Sequence, residues 1–158
     1  MKRRPHLPTA VPVAPGVLLD SRRALVHPAQ GWLAVADLHF GYEQRRRREG
    51  ALLPDWGMAQ AEQALLSLLA DHQPQRLILV GDVMDGAGTV RETLDLLERL
   101  RAQVEVICVE GNHDRAALKT RAGFLSRWQE QGFLFEHGHQ PLSPQPGSIL
   151  ITGHEHPA

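Results

Sequence analysis

The chain has one cysteine, Cys108, and so cannot staple itself with an internal disulfide. Its place in the apolar stretch 104–109 marks a core thiol rather than a reactive one. A lone thiol also suits a reducing compartment. Long hydrophobic runs are missing too, since none approaches the roughly 20 residues of a membrane span. The N-terminus starts basic, but Pro8, Pro12 and Pro15 break up any apolar core of a signal peptide. A cytoplasmic location with no membrane partner is the expectation. Charge of one sign is also lacking: the formal net charge is −1, which argues against a dedicated nucleic-acid binder. That argument weakens if acidic residues hold cations, because bound dications reverse the local sign.

What is present is ordinary for a globular domain: 158 residues, 42% hydrophobic and 22% charged, enough for one core. Residues 1–16 are Pro-rich and read as an irregular lead-in, with one domain over 17–158. Residues 17–27 predict a hairpin with Asp20-Ser21 at the turn. Asp55 is placed to cap a helix from Trp56 to about His72, where Met58, Ala61, Leu65, Leu68 and Leu69 recur at helical spacing and Pro74 stops it. A second helix is expected from Thr89, with Glu92 completing a capping box and Val90, Leu94, Leu97 and Leu100 as its stripe. A third is expected after Asp114, interrupted at Gly123 and ended by Gly132. Strands alternating with helices give an α/β layered fold with crossover helices.

Five short apolar runs end abruptly in metal-type ligands: WLAVAD at Asp37, LILVGD at Asp82, EVICVEGN at Asn112, LFEH at His137 and SILITGH at His154. Each has the length of a buried strand, roughly 4–8 residues. Asp37 and His39 lie two apart and face one way on a strand end, although an Asp-x-His alone is usually a solvated loop pair. Asp82 closes the most apolar run, where a carboxylate is costly unless it pairs with a cation. Asp85 is either a site residue or a turn former. In Gly111-Asn112-His113-Asp114, Asn112 offers a carbonyl oxygen, His113 a transferable proton and Asp114 a possible helix cap. His137, His139, His154 and His156 stand beside glycines within the last 22 residues, which is hard to explain without a metal.

In this order the residues resemble the calcineurin-like metallophosphoesterases, whose pattern is D-x-H, G-D-x-x-D, G-N-H-[DE], H and G-H-x-H. The resemblance spans residues 32–157, and DLHFGYE with the closing GHEHP looks most like the DNA-ligase-associated metallophosphoesterases. It implies a metallophosphoesterase-type β-sandwich flanked by helices. It also implies one metal held by Asp37, His39 and His156, another by Asn112, His137 and His154, and Asp82 as the bridge. His113 would be the general acid, oriented by Asp85, and His139 would support the ligands. Gly86 stands where family members that dephosphorylate proteins carry Arg, which argues against a protein phosphatase. Relatives usually continue past G-H-x-H into further strands. The expectation at Ala158 is therefore a fold lacking the last strands, with a segment around His154 and His156 that metal would tie down and an exposed edge suited to a homodimer.

The expected function is a phosphodiesterase acting on a nucleotide or nucleic acid, by attack of a metal-bridging hydroxide with His113 as acid. Two divalent ions are implied; the imidazole-rich ligand set favours manganese, iron or zinc over magnesium or calcium. The rival is a non-catalytic interaction module on the same fold, a partner in DNA processing. Arg45, Arg46, Arg47 and Arg48 read as a solvated stretch flanked by Glu43 and Glu49, or as a contact for a phosphate backbone near His39.

Overall fold

The computed structural model describes residues 10–155. Nine strands and four helices follow the chain as β1 (Ala10–Ala14), β2 (Val17–Asp20), β3 (Ala24–His27), β4 (Trp32–Ala36), α1 (Tyr42–Arg48), α2 (Gly57–His72), β5 (Arg76–Val80), α3 (Val90–Arg101), β6 (Glu105–Val109), α4 (Ala116–Ala122), β7 (Trp128–Glu130), β8 (Phe133–Glu136) and β9 (Ile149–Thr152). The first six strands form a mixed sheet in sequence order, and β7-β8-β9 form a second sheet. β4, β5 and β6 run parallel, so their C-terminal ends share one edge. β8 and β9 are also parallel to each other.

Strand alternation sorts the core into two layers. Leu33, Leu77, Leu79 and Cys108 face the helices, meeting Leu65 and Leu68 of α2 and Leu96, Leu97 and Leu100 of α3. Their neighbours Trp32, Ala34, Ile78, Val80 and Val109 face the second sheet. There Trp32 meets Phe133 and Phe135 edge-on, with ring centroids 5.1 and 5.3 Å apart. The expected sandwich flanked by helices is thus present. Burial pushes the Cys108 thiol up to about 12, so it is the inert core thiol that the sequence suggested. No described helix is long and apolar enough to cross a membrane.

Several local expectations are corrected. Residues 10–14 are a strand rather than an irregular lead-in: β1 pairs with β2 at the sheet edge. Pro12 is tolerated there because an edge strand has one side without ladder bonds, and the register shifts between Pro12 and Ala14. The arginine tract is helical, in α1. Asp55 does not cap α2; its carboxylate pairs with Arg47 at 3.0 Å, and the Glu43 carboxylate lies against Gly57 in the first turn instead. The capping box at α3 does not form, because the Thr89 hydroxyl turns back to the carbonyls of Asp85 and Gly86 at 3.1 Å each. The third helix ends at Gly123, whose left-handed φ of 69° reverses the chain, and the segment beyond supplies β7.

Asp20 ties the β2–β3 hairpin to α2. Its buried carboxylate accepts bonds from Arg22 Nε at 2.9 Å and Nη2 at 2.7 Å and sits 2.7 Å from His72 Nε2, while Arg22 reaches Asp71. The Arg22 hydrogen bonds hold the Asp20 carboxyl well below the usual carboxylate range, against the opposing effect of burial. A depressed pKa stabilises the fold above the ordinary carboxylate value, and that contribution is lost as pH falls through the lower folded value. Asp20→Ala should therefore cost about 1.5–3 kcal/mol in urea unfolding near neutral pH, because Arg22 loses its buried partner and keeps only the exposed Asp71 and Ser67. A cost under about 1 kcal/mol, the range of a surface pair, would show that this network does not anchor the hairpin.

Candidate metal centre

Each strand ending becomes a short loop, and the loops are laced together. After β4, the amides of Asp37, His39 and Phe40 donate to the carbonyls of Gly81, Asp82 and Val83 at 3.1, 2.8 and 2.9 Å. The loops after β4 and β5 thus run side by side. Asp114 fixes the third loop: its carboxylate accepts from Met84 N at 3.1 Å and Gly111 N at 2.8 Å. It is a cross-loop clamp rather than the helix cap expected from the sequence; Arg115 occupies the cap position of α4. Burial raises the Asp114 carboxyl above its ordinary value, and these amide bonds oppose the shift.

Backbone strain concentrates here. Seven described non-glycine residues have positive φ, and four of them are Asp37 (51°), His39 (45°), Asp82 (48°) and His154 (65°). Such conformations cost on the order of 1–3 kcal/mol each and persist where surrounding structure imposes them, often at functional sites. Glycine permits the close packing. A Cβ at Gly111 would collide with Asp82, and one at Gly81 with the His137 ring.

The side chains meet in three groups whose potential ligand atoms lie within 4.8 Å of one another: Asp37–His39–Asp82, Asp82–His137–His154 and His39–Asp85–His113. Asp82 belongs to two of them. It is 2% exposed and accepts a 2.8 Å bond from the His113 amide. His137 Nε2 stands 2.9 Å from Asp37 and 3.4 Å from Asp82. The His154 amide donates to the Asp37 carboxylate at 3.0 Å. Burial pushes the His39 imidazole below its ordinary value, although Asp82 and Asp85 pull the other way. His139, with Nδ1 3.1 Å from His137 Nδ1, is lowered likewise by burial and by His137. Lowered values favour neutral imidazole, the form that binds metal. Buried carboxylates and neutral imidazoles converging on strained loops fit divalent cations.

The sequence-derived candidates come together with few exceptions. Asn112 lies on the loop between Gly111 and His113 and is exposed. His156 lies outside the described residues. Asp85 does not hydrogen-bond His113: the Nδ1–Oδ1 distance is 3.9 Å, and His39 Nδ1 is 3.6 Å from the other oxygen. Its hydrogen bonds go to Arg45, at 2.7 Å from Nε and 3.3 Å from Nη2. Of the arginine tract, Arg45 reaches the site, and it does so by bonding Asp85, a contact the sequence reading did not foresee. The surface reading of the arginine tract holds for Arg46 and Arg47, which pair with Glu49 and Asp55, and fails for Arg45. No local signal distinguishes Arg45 from its three neighbours.

Comparison with known proteins agrees with this geometry. The sequence profile of the family described as calcineurin-like phosphoesterase matches residues 33–158. The uncharacterized metallophosphoesterase YkuE of Bacillus subtilis is 28% identical over 104 residues, covering 63% of this chain but only 36% of the relative's length. Among solved structures, the nuclease MPE of Pseudomonas putida superposes with a TM-score of 0.67 at 27% identity, over 92% of this chain and 73% of that one.

Proposed function

This chain belongs to the calcineurin-like phosphoesterase family, and we propose that it is a metal-dependent phosphodiesterase acting on a nucleotide or nucleic acid. The observation that carries the reading is Asp82, a buried carboxylate shared by two carboxylate–imidazole groups at converging strand ends. In this proposal Asp37, His39 and His156 would hold one divalent ion and Asn112, His137 and His154 a second, with Asp82 placed to serve both. Manganese is the ion best suited to this mixed oxygen and nitrogen set, with iron or zinc next. Such ions supply Lewis-acid stabilisation of phosphoryl oxygens and lower the pKa of bound water.

The protein's own part is positioning and proton transfer. His113, with a side chain 44% exposed, stands at the open side of the site and donates a proton to the departing ester oxygen. Asp85, held by Arg45, places negative charge beside both His113 and His39 without bonding either. The solved nuclease neighbour supports a nucleic-acid phosphodiester as the substrate, and the motifs DLHFGYE and GHEHP favour the DNA-ligase-associated subgroup.

The test is hydrolysis of bis(p-nitrophenyl) phosphate by protein stripped with a chelator and reloaded with manganese. Failure to turn over any phosphodiester would favour the non-catalytic module. Metal uptake should fall with acid, since protons compete for imidazole near its free pKa of about 6.5. Because the His39 value is lowered, its share of that competition sets in at a lower pH than for free imidazole. Higher manganese should push the acid limb of activity lower still. A limb fixed against manganese concentration would report a group that is not a ligand.

A further inference from the structure

A cavity of about 450 Å³ opens beside the proposed centre, with His39 and His113 at one end. Much of its wall is apolar. Leu38 and Phe40 come from the loop after β4, Tyr42 from the start of α1 and Ala61 from α2. Glu43, Arg45 and Asp85 supply its charged groups. The volume lies in the range of small-ligand sites, roughly 300–1,000 Å³, and an apolar wall with a few polar groups is their usual make-up. Tyr42 is 43% exposed, and the Arg45 guanidinium covers one face of its ring at 5.5 Å from the centroid, which holds the ring in place with the rest of it exposed.

We propose that this cavity seats the nucleobase carried on the leaving oxygen of the substrate. The proposal rests on the phosphodiesterase reading, in which His113 protonates that oxygen. His113 lines the cavity, so whatever is bonded to the oxygen extends into it. A planar base suits an aromatic wall, and its edge offers donors and acceptors to Glu43 and Arg45. Stacking on Tyr42 gives affinity without strict choice among bases.

The experiment compares a dinucleotide with two analogues, each lacking the base on one nucleoside. In the wild type, removing the base on the leaving side should lower kcat/KM roughly 5- to 150-fold, the span of one base–aromatic stack. Tyr42→Ala should shrink that ratio, and Tyr42→Phe should retain it. Saturation-transfer NMR with free adenosine gives a readout independent of turnover, and the signal should vanish in Ala61→Phe, which fills the cavity. A wild-type ratio near one on the leaving side, or a ratio unmoved by both Tyr42→Ala and Ala61→Phe, overturns the proposal. Wild-type hydrolysis of bis(p-nitrophenyl) phosphate keeps the two readings apart. If it is absent while adenosine binds the wild type and not Ala61→Phe, the phosphodiesterase reading falls and the base site stands.

Discussion

Asp82→Ala is expected to strip the protein of bound manganese and to lower phosphodiester turnover by at least about 10³-fold, the loss that follows from several kcal/mol of transition-state charge stabilisation. The reason is position. Among the described residues, the Asp82 carboxylate belongs both to the group with Asp37 and His39 and to the group with His137 and His154, so its removal would take a proposed oxygen ligand from each. His39→Ala should behave differently, because His39 does not belong to the group that contains His137 and His154. That variant should mainly weaken one ion. Metal content per chain after manganese loading, read beside circular dichroism to verify folding, separates the cases. A folded Asp82→Ala protein that keeps two ions would remove Asp82 from the bridging role. A wild type that never holds more than one ion would end the two-ion reading altogether.

The second large effect concerns His113. His113→Asn should keep the metals and slow turnover by roughly 10²–10⁴-fold, the usual contribution of a positioned general acid. The loss should shrink for nitrophenyl esters, whose leaving group departs without a proton, and be greatest for alkyl esters such as a dinucleotide. His113 also groups with His39 and Asp85, whose potential ligand atoms lie within 4.8 Å of one another, so metal analysis of the same variant matters. Loss of an ion along with activity would make His113 a ligand. Equal losses for good and poor leaving groups would also take the proton-donor role from it.

The strand-end residues were legible because each signal is local. WLAVAD, LILVGD and EVICV are short runs that alternate between two buried faces, and all became parallel strands of the main sheet. The Asp82 ending was readable because a carboxylate at the end of so apolar a run is costly unless it is paired or holds a cation. Helix ends were read less well. Asp55, Thr89 and Asp114 all have side chains that cap helices in isolation, yet each found a different partner: Arg47, the Asp85 and Gly86 carbonyls, and the Met84 and Gly111 amides. A capping preference of about 1 kcal/mol is easily outbid when tertiary structure offers a charged or buried alternative.

By itself the sequence determined the layered α/β core and the kinds of ligand available, because hydrophobic periodicity and residue chemistry are properties of neighbouring positions. Tertiary structure decided which of those candidate ligands share a cluster, that Asp85 answers to Arg45 rather than to His113, and that a largely apolar cavity lies against the site. Arg45 and Asp85 are 40 residues apart, and His137 and Asp37 are 100 apart. Contacts over such separations arise from how strands register and helices cross. No periodicity within a short window encodes them, and only the packed chain brings those groups within bonding distance.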